Sequence, residues 1–197
     1  HLDKAFIDAA TSWWEASGSA GWERQVDTGA AVNNSEHRAA WHTAWRGTPP
    51  PPAVAESVNA TNAAMQALVE DWRQSDANAI VLIGIGGSAL GPELALTALS
   101  PLQPRFDLRV VSNLDASATI RALSGLDPQR TRVIVASKSW TTLETQTNMA
   151  FVHQWLRDAG IEAPEAVTVA VTGKTDRARA AGIPDHQILD VPDWVGG

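Results

Sequence analysis

Apolar residues recur with helical spacing over the first part of the chain, up to residue 78. Intervals of three and four are the period of an amphipathic helix, and three helices are predicted, over residues 2–16, 33–46 and 53–73. Gly18 and Gly21 separate the first helix from the second. Asn33 has the spacing to Glu36 of a capping box, with Asn in the place of Ser or Thr. The prolines at positions 49–52 predict a stiff, extended connector.

From residue 79 the pattern changes to short, continuously apolar runs that are rich in β-branched residues. Such runs are typical of strands buried on both faces of a sheet, and five are predicted, over residues 79–85, 108–112, 132–136, 166–171 and 187–191. Helical patterns separate them, over residues 92–99, 116–123, 143–159 and 175–181. This alternation predicts an α/β fold, a three-layer α/β/α arrangement around a five-stranded parallel sheet. Right-handed crossovers place the carboxyl ends of all the strands at one edge of the sheet. Ligands of such folds bind at this edge, near the point where the strand order reverses.

The composition narrows the classes of function. A net charge of −7 argues against nucleic-acid binding and against binding to anionic membranes, since both need a basic face. The nine tryptophans are scattered without interleaved basic residues, so they form no platform for stacking bases. The absence of cysteine excludes disulfides and thiolate chemistry. With no apolar stretch near the ~20 residues of a membrane helix and no signal-peptide core, a cytoplasmic protein is expected, with no nucleic-acid or membrane partner.

A glycine-rich loop, here named the glycine loop (residues 84–92), follows the first predicted strand. Gly86 and Gly87 let the backbone approach an anion closely, the amides of the next helix can point at that anion, and Ser88 adds a hydroxyl donor. Pro92 is predicted in the first turn of that helix, where its missing N–H costs nothing. We interpret the loop as a phosphate or sugar cradle. The alternative is a tight strand-to-helix turn without a ligand.

The same glycines match a variant of the dinucleotide-binding pattern, G-x-G-x-x-A, from Gly84 to Ala89. A nicotinamide site needs an acidic residue at the end of the next strand, about 20 residues further on. Asp115 stands 26 positions after Ala89. The fit is poor, and a nicotinamide-dinucleotide-binding domain is kept as a less favoured alternative.

A second loop, here named the hydroxyl loop (residues 137–145), follows the third predicted strand. Hydroxyl donors beside a lysine and a helix start can surround the three oxygens of a phosphate monoester, and the candidates are Ser137, Lys138, Ser139, Thr141 and Thr142. Four hydroxyl residues in the first six positions exceed what helix capping needs. A hydroxyl-rich helix cap with a solvated surface lysine remains the alternative. Because both loops lie at the same sheet edge, one ligand touching both is predicted.

Four patterns in the chain resemble those of the phosphoglucose isomerase family. Residues 84–92, GIGGSALGP, are similar to its GIGGSDLGP, and residues 137–145, SKSWTTLET, are similar to its SKTFTTxET. Residues 33–39, NNSEHRA, resemble its NxTExRA, with His42 following, and residues 194–197 resemble the start of its WVGGRYS or WVGGRFS. The resemblance implies a flavodoxin-like sugar-isomerase (SIS) fold. It also implies binding of glucose 6-phosphate and fructose 6-phosphate without a cofactor.

The resemblance assigns the residues that hold the sugar phosphate, namely Gly87, Ser88, Ser137, Lys138, Ser139, Thr141 and Thr142. The two loops depart from the family pattern at three positions. Ala89 stands in the place of Asp, which removes a carboxylate near the sugar. Ser139 in the place of Thr keeps the hydroxyl, and Trp140 stands in the place of Phe.

The residues that transfer the proton are expected outside positions 1–197. In the family a glutamate moves the proton between C2 and C1 of the sugar, an arginine steadies the charge of the enediol, and histidine and lysine assist ring opening. The resemblance places that arginine directly after Gly197 and the others further on, with the histidine supplied by a partner subunit. No catalytic residue is therefore assigned here, and this chain alone is expected to show negligible turnover. The resemblance also implies a homodimer for the full-length protein, and His42, His153 and His186 are interpreted as structural or surface residues.

The predicted domains are an N-terminal helical segment with the proline linker at residues 1–52 and an SIS-type sugar-phosphate-binding domain at residues 53–197. The start at His1 and the end at Gly197 without a polar tail suggest a segment of a longer chain. A noncatalytic sugar-phosphate sensor of the same fold is the alternative to an enzyme. A continuation with Arg-Tyr-Ser or Arg-Phe-Ser would favour the enzyme, and a natural stop would favour the sensor.

Overall fold

The structure is a computed structural model that describes residues 3–33, 37–41, 44–45, 50–99 and 105–195. The helices in these residues are α1 (Lys4–Ala16), α2 (Ser19–Asp27), α3 (Pro52–Gln74), α4 (Gly87–Leu99), α5 (Ala116–Leu123), α6 (Leu143–Asp158) and α7 (Thr175–Ala180). The strands are β1 (Ala79–Gly84), β2 (Asp107–Val111), β3 (Thr131–Ala136), β4 (Thr168–Thr172) and β5 (Ile188–Asp190). Within this described part, none of the helices has the length and apolar character that crossing a bilayer requires.

The five strands form one parallel sheet in the order β2-β1-β3-β4-β5. The order reverses at β1, which pairs with β2 on one side and with β3 on the other. At the carboxyl end of the sheet, Gly84 of β1 pairs with Ala136 of β3. The α/β fold with a five-stranded parallel sheet is therefore confirmed.

Helices cover both faces of this sheet because alternate residues of each strand point to opposite sides. On one face, Val81 and Ile83 of β1 belong to a buried cluster with residues of the three later helices, namely Leu123 of α5, Leu156 of α6 and Ala178 of α7. On the other face, Ile80 packs in a second cluster with Leu68 and Trp72 of α3. Residues of α4 line this second face too. The predicted three-layer arrangement follows from these two clusters.

The chain divides into two compact units, one comprising His1–Ala60 with Pro192–Gly197 and the other comprising Thr61–Val191. The second unit contains the entire sheet and both candidate loops. The first unit has a small core of its own, in which Ala44, Val54 and Val58 are buried and Trp41, Trp45 and Trp194 pack against them. The boundary between the units falls within α3. The functional division predicted at residue 52 stays a prediction.

The helix predicted over residues 33–46 is wrong at the described residues 33 and 37–41, whereas residues 44–45 form a short 3-10 turn. Asn33 and Arg38 form an isolated antiparallel bridge, with Asn33 N–H donating to Arg38 O at 3.2 Å. The Trp41 amide donates to Trp194 O at 3.1 Å. A bond to a residue so distant in sequence replaces the local hydrogen bonds of a helix. Four residues named under Sequence analysis lie outside the described residues, namely His1, Glu36, His42 and Gly197.

Two predictions based on local helix-breaking residues are also wrong. Gly21 does not break a helix, because α2 runs through it. Pro92 does not lie in the first turn of its helix, since α4 begins five residues earlier, at Gly87. Pro92 therefore lacks the N–H that would bind the carbonyl oxygen of Ser88 in the helix interior. The ends of the other predicted elements agree within about two residues, the usual uncertainty of helix and strand ends.

Candidate functional site

The glycine loop and the hydroxyl loop begin side by side at the carboxyl edge of the sheet. The glycine loop follows β1 and the hydroxyl loop follows β3, and these strands are paired neighbours. Their last residues, Gly84 and Ala136, are register partners, and adjacent strands lie about 4.8 Å apart. Strand order reverses here, which is the usual position of a ligand crevice in an open parallel sheet. The structure thus brings the two candidate loops together.

The glycine loop passes almost directly from β1 into α4. Gly86 has a φ of 55°, a left-handed conformation that glycine adopts without strain. The amides of residues 88–90 are already bonded, at 2.9–3.2 Å, to the carbonyl oxygens of residues 85 and 86. Gly87, the exposed first residue of α4, has an amide without such a partner among the described residues. Gly87 and the half-buried Ser88 therefore stand at the positively polarised start of the helix, where an anion is stabilised.

Ala89, which stands where the family pattern has Asp, is fully buried in α4. A carboxylate at this position would be enclosed at the junction of loop and helix. An enclosed charge needs hydrogen-bond partners of its own, and alanine removes that requirement from this chain.

The backbone of the hydroxyl loop is held against β4 and the segment that follows it. The Ser137 amide donates to Val171 O at 3.0 Å, and Lys138 O accepts from the Gly173 amide at 3.0 Å. Within the loop, the Trp140 amide donates to Ser137 O at 3.2 Å. Because the C=O and N–H of a trans peptide point in opposite directions, the amide that shares a peptide unit with Lys138 O faces away from β4.

Four of the five hydroxyl groups of this loop fall into two pairs. Ser139 Oγ accepts from Thr141 Oγ1 at 2.9 Å and from the Thr141 amide at 3.3 Å, and both side chains are exposed. Ser137 is buried, with its Oγ 3.5 Å from Oγ1 of the half-buried Thr142. Thr142 occupies the N-cap position of α6, yet its side chain accepts no hydrogen bond from the amides of the first turn. A capping role therefore does not explain this hydroxyl. Lys138, between the two pairs, is half-buried.

The buried side chain of Trp140 anchors the hydroxyl loop in the hydrophobic core. Its side chain belongs to the same buried cluster as Val135 of β3 and Val152 of α6. Its φ of 54° is rare for a residue with a Cβ and costs about 1–2 kcal/mol. Gln146 Nε2 donates to Trp140 O at 3.2 Å. The packing of the indole maintains a backbone conformation that the chain would not adopt on its own.

Asp115, the acidic residue considered for a nicotinamide site, is used for helix capping. Its carboxylate accepts a hydrogen bond from the Ser117 amide at 2.9 Å at the start of α5. One carboxylate oxygen is thus engaged at the helix start, and the other lies 3.9 Å from an Arg121 nitrogen. The end of β2 is tied instead to α6, because Asn148 Nδ2 donates to Asn113 O at 2.9 Å. These contacts do not favour the nicotinamide alternative.

His153 of α6 is buried, which fits the structural role predicted for it. Its Nε2 lies 2.9 Å from Oγ1 of Thr168, whose hydroxyl donates to Pro164 O at 2.8 Å. Because that hydroxyl proton is used, His153 Nε2 is the donor, and Nδ1 faces a Glu165 oxygen at 3.5 Å. Burial lowers the pKa of His153, with the Glu165 charge opposing this shift and the Arg157 charge adding to it. His186 lies exposed on the surface.

The neutral state of His153 predicts a pH dependence of stability. As pH falls below about 6.5, the unfolded chain takes up a proton that the folded chain resists. The contribution of His153 to the free energy of unfolding is therefore fully present above pH 6.5. It is lost as pH falls towards the lowered pKa, by at most about 1.4 kcal/mol per pH unit. Urea unfolding between pH 5 and 8 should show this slope, and His153→Gln should flatten it. The exposed His186→Gln is the control, and equal slopes for wild type and His153→Gln would contradict the prediction.

Sequence reasoning missed the residues that hold the hydroxyl loop from behind. A Cβ at Gly173 would lie 3.0 Å from Val191 O and 3.3 Å from Lys138 O, so a side chain there would force these backbone atoms to shift. Arg177 of α7 donates from Nη1 to Ser139 O at 2.9 Å. A glycine two positions after a predicted strand was a usable signal for the first contact. The second depends on β4 lying beside β3, which the sequence does not reveal.

Comparison with known proteins gives one consistent family. A family model described as phosphoglucose isomerase matches residues 1–197. Among curated relatives, the glucose-6-phosphate isomerase of Bordetella petrii is 43% identical over 174 residues, covering 88% of this chain and 33% of the relative. That of Erythrobacter litoralis is 37% identical over 200 residues, covering 100% of this chain and 38% of the relative. The chain thus spans only 33–38% of the length of these relatives.

Solved structures give the same result. A glucose-6-phosphate isomerase from Chlamydia trachomatis superposes with a TM-score of 0.80 at 26% identity, over 99% of this chain and 40% of that one. A hypothetical protein from Thermus thermophilus superposes with a TM-score of 0.67 at 24% identity, over 100% of this chain and 44% of that one, which supports the fold alone. With the match of the family model over residues 1–197, these findings show that the chain belongs to the phosphoglucose isomerase family.

Proposed function

We propose that this chain is the sugar-phosphate-binding portion of an enzyme that interconverts glucose 6-phosphate and fructose 6-phosphate through an enediol. The observation that carries the proposal is the pairing of two different anion-binding loops at one reversal of strand order. Neither loop would be specific alone, because glycine turns and hydroxyl-rich helix caps are common. Their meeting at register partners, in a chain of this family, supports a single ligand that touches both.

The two loops would take different parts of the substrate. The hydroxyl loop offers Ser137, Ser139, Thr141 and Thr142 as donors and Lys138 as a local positive charge, which matches a phosphate monoester with three oxygens. The glycine loop offers the Gly87 amide, the Ser88 hydroxyl and a close backbone approach, which suit the sugar. A few directed donors suffice in a chain of net charge −7, because they act at short range.

The proposal also covers the catalytic groups, the cellular location and the oligomeric state of the whole protein. The relatives named above are more than twice as long as this chain, and we propose that the groups for proton transfer lie in the portion that corresponds to the rest of their length. The whole protein would act as a cytoplasmic homodimer and would need no cofactor, since proton transfer between adjacent carbons requires only an acid–base pair. A noncatalytic sugar-phosphate sensor of the same fold would use the same two loops, so the binding experiment below supports either.

Tryptophan fluorescence tests the binding site, with Trp140 as a reporter inside the hydroxyl loop. We expect saturable binding of 6-phosphogluconate and none of NADH. Thr141→Val should weaken 6-phosphogluconate binding by about tenfold, because a hydrogen bond to a charged oxygen is lost. Thr147→Val is the matched control, since Thr147 is also exposed but donates to Leu143 O within α6.

Three outcomes would contradict the proposed site. Saturable binding of NADH without binding of 6-phosphogluconate would favour the nicotinamide alternative. Absence of binding by either compound would remove the support for a sugar-phosphate site. Equal affinities of Thr141→Val and Thr147→Val would move the ligand away from the hydroxyl loop.

A further inference from the structure

The hydroxyl loop receives a long-range hydrogen bond from a charged side chain. Arg177 of α7 donates from Nη1 to the carbonyl oxygen of Ser139 at 2.9 Å, across 38 positions of sequence. The neighbouring bonds that hold the loop, from Ser137 to Val171 and from Gly173 to Lys138, are backbone bonds of the sheet edge. Arg177 makes the shortest of three side-chain bonds to the carbonyl oxygens of residues 138–140, the others being Gln146 Nε2 to Trp140 O at 3.2 Å and Thr172 Oγ1 to Lys138 O at 3.3 Å. Substitution can remove the Arg177 bond without altering the main chain.

This bond fixes the orientation of one peptide unit. The unit joins Ser139 to Trp140, and its carbonyl is held by the guanidinium of Arg177. Its N–H then points the opposite way, where it donates to Ser137 O at 3.2 Å. This bond closes a turn over residues 137–140, in which Trp140 has its positive φ. The turn sets the positions of the Ser139 and Thr141 hydroxyls. A hydrogen bond from a charged donor is stronger than a neutral one.

The geometry points to Arg177 as a positioning residue for phosphate binding by the hydroxyl loop. It acts through the Ser139 carbonyl and holds the loop hydroxyls in the arrangement that a phosphate needs, without itself contacting the ligand. This inference rests on the proposed function of the loop. It assigns a role to α7, a helix that none of the four family-like sequence patterns includes.

Arg179 of the same helix provides a matched control. Its guanidinium pairs with Asp185 and lies 3.4 Å from Thr175 Oγ1, and both partners lie outside the hydroxyl loop. Arg177 and Arg179 are both exposed. Replacing either by glutamine changes the net charge equally, but only the Arg177 substitution releases the Ser139 carbonyl.

The test compares Arg177→Gln, Arg177→Lys and Arg179→Gln in the chain of residues 1–197. We expect Arg177→Gln to weaken 6-phosphogluconate binding by about tenfold, because a charge-assisted bond is lost. Lysine can still donate one hydrogen bond to Ser139 O but lacks the planar guanidinium group. Arg177→Lys should therefore weaken 6-phosphogluconate binding by only about threefold. Arg179→Gln should bind like wild type. The unfolding midpoints of all three should stay within about 2 °C of wild type, because the side chains are exposed.

Hydrogen exchange supplies a readout that does not depend on the ligand. In Arg177→Gln the amides of residues 139–141 should exchange several-fold faster than in wild type, while Arg179→Gln leaves them unchanged. Unchanged exchange in Arg177→Gln would overturn the inference, whether or not a ligand binds. Binding by wild type with equal affinities of Arg177→Gln and Arg179→Gln would overturn it while leaving the proposed function intact. Failure of wild type to bind 6-phosphogluconate would contradict the proposed function itself, and with it any role of Arg177 in binding.

Discussion

Replacing Trp140 with alanine is expected to lower the free energy of unfolding by about 3–5 kcal/mol. The side chain is only 5% exposed and packs in the main core cluster, so its removal leaves a cavity between β3 and α6. Alanine keeps a Cβ, and the strain of the positive φ at this position is therefore not relieved. A loss of this size is a large part of the stability of an ordinary domain, about 5–15 kcal/mol.

Urea unfolding followed by far-ultraviolet circular dichroism measures the effect of Trp140→Ala without depending on the deleted fluorophore. Trp13→Ala is the control, since Trp13 is 69% exposed on α1. That substitution should change the unfolding free energy by no more than about 0.5 kcal/mol. Similar losses for the two variants would show that Trp140 does not anchor the hydroxyl loop in the core.

Replacing Gly84 with alanine is expected to destabilise the protein by about 3 kcal/mol and to displace the start of α4. A Cβ at this position would lie 2.8 Å from Ser88 O and 3.0 Å from Ser88 C. These are backbone atoms, and no rotation of a side chain can move them away. The same carbonyl already lacks a helical partner because residue 92 is proline. Since Gly87 and Ser88 begin α4, sugar-phosphate binding should be lost together with stability.

Alanine substitutions at two other glycines of the glycine loop distinguish loss of stability from loss of ligand binding. Cβ atoms at Gly91 and at Gly87 would each meet no neighbouring atom within 4 Å. Gly91→Ala should therefore preserve both folding and binding. Gly87→Ala should fold normally but bind 6-phosphogluconate more weakly, because the added methyl occupies the space in front of the helix start. Wild-type stability of Gly84→Ala would contradict the close approach of β1 and α4.

The strands and the two loops were predictable because their signals are local. Each strand is a short apolar run, and the glycine and hydroxyl loops stand where two of these runs end. The described residues 33 and 37–41 were mispredicted because a local capping pattern competes there with contacts that are distant in sequence. Arg38 pairs with Asp193 at 3.1 Å, and the Trp41 amide bonds to Trp194 O. Such contacts outweigh helix propensity and leave no mark on the nearby sequence.

Pro92 and Arg177 show two further reasons why sequence patterns fail. A proline is favoured in the first turn of a helix, but α4 begins at Gly87, so Pro92 lies in the helix interior. The role of Arg177 follows from the position of β4 beside β3. Strand order is set by the packing of the whole sheet, so no spacing within α7 could have indicated a partner in the hydroxyl loop.

A crystal structure of the chain soaked with glucose 6-phosphate would test most directly whether the two neighbouring strand ends hold one phosphorylated sugar. We predict the phosphate within hydrogen-bonding distance of the hydroxyls of residues 137–142, and the sugar against Gly87 and Ser88. A sugar phosphate bound at any other surface, or one that touches only one of the two loops, would contradict it.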